Sequence, residues 1–182
     1  MIPSDTWLLN DIDQKLRKKS ADVILPINEK DQLLINRMVS YIDACYTKKA
    51  KEYKIREGIA LAGPQVGLLK KVIYIHFDLN KIEHKYLIAN PKIIAESITY
   101  GFIEQGEGCL SVPKEYEGVV KRRNRIVVEA YDLINKKNIT IDAEGILAIC
   151  LQHEIDHLSG ILYYDRINKN QPLTIEPEWI KY

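Results

Sequence analysis

The 182-residue sequence has few cysteines, no long hydrophobic run and almost no net charge. Three cysteines are too few, and odd in number, for a disulfide scaffold, which favours a reducing, cytoplasmic compartment. The longest apolar run, residues 146–151, is far shorter than the roughly 18 residues of a membrane span. Lysine plus arginine (26) nearly balance aspartate plus glutamate (25). This balance argues against a protein that mainly coats nucleic acid or an anionic membrane.

The sequence does contain enough apolar material for a buried core. Its composition is 46% hydrophobic and 28% charged, which is typical of a globular domain. The length fits one domain better than two, and no repeat, low-complexity tract or linker divides the chain. We therefore predict a single domain over residues 1–182. The first five residues have neither a basic nor an apolar signal region, so we expect no secretory signal.

The hydrophobic periodicity predicts two helices. Asn28 is a candidate N-cap for an amphipathic helix over residues 28–53. The predicted apolar face of this helix comprises Leu34, Met38, Ile42 and Cys45. A second helix is predicted from about residue 143 to residue 158, with Gly160 in a C-capping position. Residues 8–20 have the mixed charge of a short surface helix, and the tail after residue 160 has little helical signal.

Short strand-like runs fill the space between the two helices. They occupy residues 72–77, 86–89, 92–95, 97–102, 125–131 and 138–141, and the last two form a predicted hairpin. Strands that cluster between helices, rather than alternate with them, are typical of an α+β fold. We predict antiparallel β-sheets packed around a central second helix.

The sharpest chemical signal lies in the second helix, at His153-Glu154-Ile155-Asp156-His157. A spacing of four residues places both histidines on one helix face, one turn apart, where they can bind a single metal ion. Glu154 stands beside them and can hold the proton of an attacking water. The alternative interpretation is two ordinary histidines on a partly buried helix, but the unbroken apolar segment before the motif favours the metal site.

A catalytic metal site needs a third protein ligand next to an open position. Tyr163 stands where a metzincin carries its third histidine. Glu176 and Glu178 lie in a tail without a helical pattern, unlike the later glutamate of a thermolysin-like site. His76 and His84 lie in strand-like surroundings, and no motif supports either of them.

Cys109 is the favoured third ligand. It lies in the segment 105–113, where neighbouring glycines let the backbone approach another element. A thiolate binds transition metals strongly. Taken alone, this cysteine would more often be a small buried hydrophobe, so its assignment depends on the incomplete histidine pair.

Helical spacing also predicts an apolar pocket beside the metal. Counting back from His153 by three, four and seven residues gives Cys150, Ile149 and Ile146 on the same face. Such a surface suits an unbranched hydrophobic side chain of a substrate. Ordinary core packing remains the alternative for each of the three.

Three segments together resemble the motifs of the peptide deformylase family, GΦGΦAAxQ, EGCLS and QHExxH, where Φ is hydrophobic. The chain has GIALAGPQ at residues 58–65, EGCLS at 107–111 and QHEIDH at 152–157. The long segment before the first motif, Gly106 and the tail without a helix resemble the type 2 subclass of low-GC Gram-positive bacteria and their relatives. The resemblance implies a cytoplasmic enzyme that removes the formyl group from the N-terminal formylmethionine of new polypeptides and releases formate.

The resemblance also implies the ligands and the chemistry of the site. One divalent metal would be held by Cys109, His153 and His157. Fe(II) is expected from the family, with nickel, cobalt or zinc able to occupy the same site; the ligand types alone would suggest zinc. Glu154 would take the proton of the attacking water and pass it to the leaving amine.

The other motif residues would stabilise charge and hold the peptide. Gln65, through its side-chain amide, and Leu110, through its backbone N–H, would donate to the oxyanion. The implied substrate contacts are Ile59, Ala60, Glu107 and Gly108. Ala60 and Gly63 stand where the family usually has glycine and alanine, yet neither change touches a ligand or the base, so we expect the chemistry to survive.

The implied partners are N-formyl-Met nascent polypeptides, and we expect a monomer. A basic run at residues 121–125 is best interpreted as a solvated loop before a strand; a transient ribosome contact is the alternative.

Two other classes of protein remain open. One is a zinc peptidase that cuts unformylated peptides internally. The other is a non-catalytic protein stabilised by a closed four-ligand metal site.

Overall fold

A computed structural model describes all 182 residues. Its helices are α1 (Glu29–Tyr46), α2 (Ala50–Tyr53) and α3 (Ile146–Leu158). Its strands are β1 (Ala60–Ala62), β2 (Val72–Leu79), β3 (Ile82–Glu96), β4 (Tyr100–Phe102), β5 (Arg122–Arg123), β6 (Arg125–Asp132), β7 (Lys137–Glu144) and β8 (Ile180–Lys181). None of the helices combines the length and the apolar character that a membrane span requires.

The strands form two sheets. The larger sheet has the antiparallel order β1-β2-β3-β6-β7, and the smaller one has the order β5-β4-β8. The predicted α+β class with antiparallel sheets around the motif helix is confirmed, with one exception: β8 pairs with β4 in parallel. The tail has no α-helix, as expected, but it contains a 3-10 turn at Tyr163–Asp165 and adds a strand.

The larger sheet is covered on both faces, which explains the unbroken apolar run in β2. On one face, β2 side chains such as Ile73 and Ile75 pack with Leu147 and Leu151 of α3. On the other face, Tyr74 of β2 packs with residues of α1. A strand that is buried on both faces is apolar at successive positions rather than at alternate ones. The sheet therefore holds α3 against one of its faces. Strand β1 forms the edge of the sheet next to this helix.

The first predicted helix is shorter than its periodicity suggested. Asn28 is the N-cap, and its side chain accepts a hydrogen bond from the Asp31 N–H. However, α1 ends at Tyr46 because Lys48 adopts a positive φ of 59°, which an α-helix cannot contain. The buried face also differs from the prediction. It comprises Ile35, Met38, Tyr41, Ile42 and Ala44, whereas Leu34 and Cys45 are half-buried.

The second predicted helix begins later than expected. Strand β7 runs through Glu144, and Gly145 then turns the chain with φ +61°, so α3 starts at Ile146 rather than near residue 143. Gly160 ends it with φ +74°, as predicted. A Cβ on Gly160 would lie 2.4 Å from the Arg17 carbonyl oxygen, so glycine is also required by packing.

The remaining differences lie in the strands and the N-terminal segment. The predicted runs 86–89 and 92–95 belong to one strand, β3, with a register shift between Ala89 and Lys92. The surface helix predicted at 8–20 is wrong: this region has a 3-10 turn at Gln14–Arg17, and Leu16 is fully buried. Because a single buried side chain has no periodicity, the sequence pattern could not show it.

Replacing Ile88 by alanine should lower the free energy of unfolding by about 2–5 kcal/mol, because its fully buried side chain would leave a cavity between sheet and helix. Ile82→Ala is the matched control on the same strand, since Ile82 is 61% exposed. Chemical denaturation of both variants measures the difference. Equal losses for the two would contradict the packing described here.

Candidate active site

Three candidate metal ligands from two segments of the chain meet at one point. His153 and His157 lie on successive turns of α3, with their ring centroids 5.0 Å apart. Cys109 Sγ is 3.3 Å from His157 Nε2. One ligand atom from each residue lies within 4.8 Å of the other two. A thiolate and two imidazoles form a donor set that suits a divalent transition metal such as zinc or iron.

The alternative third ligands lie elsewhere. His76 is buried between Asp43 and Glu83, which hydrogen-bond its two ring nitrogens at 2.6 and 2.8 Å. Glu176 and Glu178 are exposed in the tail. Cys109 is therefore the candidate ligand that the fold brings to the histidine pair.

The surroundings of the two imidazoles shift their pKa values in opposite directions. His153 Nδ1 donates to Glu107 Oε2 at 2.7 Å, which leaves its Nε2 for a metal. Burial lowers the pKa of His153, but hydrogen bonds with Cys109 and Glu107 outweigh it and raise that pKa well above its usual value. Burial lowers the pKa of His157 well below its usual value, which keeps this ring neutral.

A buried guanidinium connects the two motifs that supply the ligands. Arg122, only 3% exposed, donates through Nε and Nη2 to both oxygens of Glu107, at 2.7 and 2.9 Å. Its Nη1 donates to Asp156 Oδ2 at 2.5 Å, and Arg166 binds the other oxygen of Asp156. Although burial opposes it, pairing with Arg122 lowers the pKa of Glu107 to about 2. The carboxylate that orients His153 therefore stays ionised.

The interpretation of residues 121–125 as a solvated basic loop is wrong. Besides the buried Arg122, Lys121 lies 3.8 Å from Glu176 and Arg123 lies 2.9 Å from Glu96. The run is an ion-paired strand edge rather than an open basic patch. One feature of the sequence could have indicated that a basic residue of this run is buried. Two acidic residues, Glu107 and Asp156, lie inside the motifs, and both require a cation once buried.

Glu154 is buried next to the three ligands. It is 5% exposed, and its Oε2 has no hydrogen-bond partner within the protein. Burial is the main cause that raises the pKa of this carboxyl, to about 7. The group is therefore free to hydrogen-bond a bound molecule and to exchange a proton with it.

Two hydrogen-bond donors flank the same pocket. Gln65 lies in the 3-10 turn Gly63–Val66, and its Oε1 accepts from the Ala62 N–H at 2.8 Å. This bond turns its Nε2 toward Cys109 Sγ, 3.7 Å away. The N–H of Leu110 donates to no group of the protein.

The residues predicted from the motifs line one cavity of about 420 Å³. Those present in its wall are Ile59, Ala60, Gln65, Glu107, Gly108, Cys109, Leu110, Ile146, Ile149, Cys150, His153 and Glu154. His157 lies behind this wall and is 1% exposed. The sequence analysis missed further lining residues, among them Arg56, Ile103 and Val112. Outside a recognisable motif, no sequence signal marked them.

The two departures from the family motif are accommodated locally. Ala60 lies in β1 without a positive φ, so its methyl group causes no backbone strain. At Gly63, a Cβ would lie 2.7 Å from the carbonyl oxygens of Leu68 and Lys70. This backbone therefore requires glycine where the family usually has alanine.

These are the parts of a metallohydrolase site: a helix with two histidines and a glutamate, a cysteine from a neighbouring loop, and an apolar cavity beside them. The profile of the polypeptide deformylase family matches residues 6–172. The chain belongs to this family. It therefore removes the formyl group from the N-terminus of nascent peptides, and its family is metal-dependent.

The chain is similar to named peptide deformylases over nearly its whole length. It is 47% identical to the peptide deformylase of Mycoplasma genitalium, covering 97% of this chain and 92% of the relative. It is 40% identical to peptide deformylase 2 of Bacillus anthracis, covering 88% of each. Its fold matches a crystal structure of a peptide deformylase from Legionella pneumophila, with a TM-score of 0.71 and 34% identity over 94% of this chain and 89% of that one. A Vibrio parahaemolyticus bacteriophage VP16T deformylase, solved in complex with actinonin, matches with a TM-score of 0.65 and 36% identity over 85% and 98%.

Replacing Arg122 by methionine should lower the free energy of unfolding by about 3–5 kcal/mol, because Glu107 and Asp156 would lose their buried partner. Arg125→Met is the control, since Arg125 pairs with Asp142 on the surface and its loss should change little. Urea denaturation of both variants distinguishes them. A stable Arg122→Met protein would show that the network contributes little.

Proposed function

We propose that Cys109, His153 and His157 hold the divalent metal of this deformylase and that Glu154 is its proton carrier. The observation that supports this is the convergence of three ligand atoms within 4.8 Å, beside a buried carboxyl whose Oε2 has no partner. When bound, the metal supplies Lewis acidity to water and to the formyl oxygen. The family resemblance favours Fe(II), with nickel, cobalt or zinc able to replace it.

Glu154 performs the proton transfers of the reaction. It accepts a proton from the attacking water, whose oxygen forms a bond to the formyl carbon. It then delivers that proton to the nitrogen of the peptide as the carbon–nitrogen bond breaks. The products are formate and a free N-terminal amine, so atoms and charge balance without another reactant.

Gln65 and Leu110 stabilise the negative charge that develops on the formyl oxygen. Preorganised donors in a buried site stabilise such charge strongly because they need no reorganisation. The amide of Gln65 is held by the Ala62 N–H, and the Leu110 N–H is free of protein acceptors. A glutamine also donates without titrating, which suits a site that already contains Glu154 and a thiolate.

The substrate is held by an apolar wall and by a strand edge. Ile146, Ile149 and Cys150 of α3 line the cavity and fit the unbranched side chain of the formylmethionine. Glu107 and Gly108 also line the cavity and position the loop that carries Cys109. Strand β1 is an edge of the larger sheet, so the exposed Ile59 and the adjoining Ala60 lie where an extended peptide can add as a further strand.

The same assignment gives the cellular setting. A deformylase acts on nascent chains, so we infer that the protein works in the cytoplasm and meets its substrate close to the ribosome. The two main hydrophobic clusters share β1 and β2, with Ala60 in one and Leu61 in the other. We therefore expect residues 1–182 to act as one catalytic domain.

Glu154→Gln should lower deformylation of a formyl-Met peptide by about 100- to 10,000-fold, because the proton carrier is lost. Bound metal should be unchanged, since the three ligands remain. Glu178→Gln, in the exposed tail, should retain full activity. Full activity in Glu154→Gln would refute the proposed mechanism, and internal cleavage of unformylated peptides by the wild type would favour a peptidase.

Cys109→Ala should abolish both metal binding and activity, because two imidazoles alone hold a metal weakly. Cys45→Ala should keep its metal, since Cys45 lies outside the ligand cluster. Elemental analysis of protein purified without oxygen measures this directly. Retention of a full equivalent of metal by Cys109→Ala would exclude Cys109 as a ligand.

A further inference from the structure

A chain of hydrogen bonds runs from the N-terminal segment to the loop of the active site. The Tyr41 hydroxyl donates to Asp5 Oδ1 at 2.6 Å. The Arg56 N–H donates to the same oxygen at 3.1 Å, and Arg56 Nε lies 3.6 Å from Asp5 Oδ2. The guanidinium of Arg56 then donates through Nη2 to the carbonyl oxygen of Leu110. Asp5 is thus connected to the proposed oxyanion donor through a single side chain.

The backbone of Arg56 is held on both sides. Its N–H is bound by Asp5, and its carbonyl oxygen accepts from Cys45 Sγ at 3.6 Å. The same carbonyl oxygen lies 3.0 Å from the Tyr41 hydroxyl oxygen, whose single hydrogen goes to the closer Asp5 Oδ1. These contacts come from the N-terminal segment and from α1. Because the residue is fixed at its backbone, the direction in which its side chain leaves is fixed as well.

Leu110 is restrained at its side chain and at its carbonyl but not at its N–H. Its side chain lies over Gly58, where an added Cβ would come within 2.5 Å of Leu110 Cδ1. Its carbonyl is bound by Arg56, and its N–H has no protein acceptor. The Leu110 N–H belongs to the preceding peptide group, whose Cys109 carbonyl accepts from the Val112 N–H at 3.0 Å. Arg56 binds the following peptide group, so it restrains the position of the loop from which the free N–H projects.

We propose that Arg56, held by Asp5, is a positioning residue that anchors the loop at the Leu110 carbonyl and so keeps the Leu110 N–H in place for the developing oxyanion. The inference depends on the role proposed above for Leu110. Arg56 acts through that residue and does not itself touch the reacting atoms. The competing explanation is a direct contact with the substrate, because Arg56 also borders the cavity and 43% of its side chain is exposed.

The test is steady-state deformylation of formyl-Met-Ala and of a longer formyl-Met peptide by metal-loaded protein. For Arg56→Leu, we expect kcat to fall by about 10- to 100-fold with both peptides, since small misplacement of a catalytic group has effects of this size. KM should stay close to that of the wild type. Arg56→Lys should recover part of the loss, because a single ammonium can donate to the carbonyl. Asp5→Asn should show a smaller loss of the same kind.

Lys51→Leu is the matched control, because it removes an exposed cation of α2 that has no ion pair. It should match the wild type in kcat and KM. Melting temperatures of all variants separate a positioning effect from unfolding. If Arg56→Leu does not fold, the kcat values of Arg56→Lys and Asp5→Asn decide the matter.

Unchanged kcat in the Arg56 variants would overturn the proposal. A rise in KM that grows with peptide length would also overturn it and would identify a substrate contact instead. Failure of the mechanism proposed above, of which the Leu110 role is a part, gives a different result, because Glu154→Gln would then be as active as the wild type in the same assay. An active wild type, an inactive Glu154→Gln and an unchanged Arg56→Leu would refute the positioning role alone.

Discussion

The buried ion pairs of Arg122 are the interaction on which the site depends. One guanidinium holds Glu107 of the cysteine loop and Asp156 of α3, and Glu107 in turn fixes the ring of His153. The segments that supply the thiolate and the imidazoles are thereby joined through charge as well as through packing. Removing this cation would leave Glu107 with only its bond to His153 and Asp156 with only the partly exposed Arg166, which is far more costly than losing a surface pair.

The architecture explains why these segments meet. A sheet covered on both faces supports α3, so that its histidine face is presented to the loop rather than to solvent. The same sheet ends in the short edge strand β1, which lies beside the loop and is open to an extended peptide. A rigid scaffold thus brings together the helix of His153 and His157, the loop of Cys109 and a strand edge. The mechanism proposed above uses all three.

The sequence alone predicted the parts of this arrangement that depend on local pattern. The HExxH spacing predicted the histidine pair, and the motif around Cys109 indicated the third ligand that the fold brings to it. The ion pairs of Arg122 were missed, since its partners lie 15 and 34 residues away and a short basic run is usually solvated. The end of α1 was missed because one left-handed residue, Lys48, interrupts a continuous apolar pattern. The burial of Leu16 and the pairing of β8 depend equally on contacts that no local pattern reveals.

This chain is a deformylase, and we propose that one thiolate and two imidazoles bind its single metal. Deformylation by wild-type protein purified without oxygen, with bound metal quantified on the same sample, is the measurement that tests activity and site together. We expect release of formate from a formyl-Met peptide and about one metal ion per chain. A full equivalent of metal without formate release would contradict the assigned activity. Formate release that persists after complete removal of the metal would contradict the assigned site.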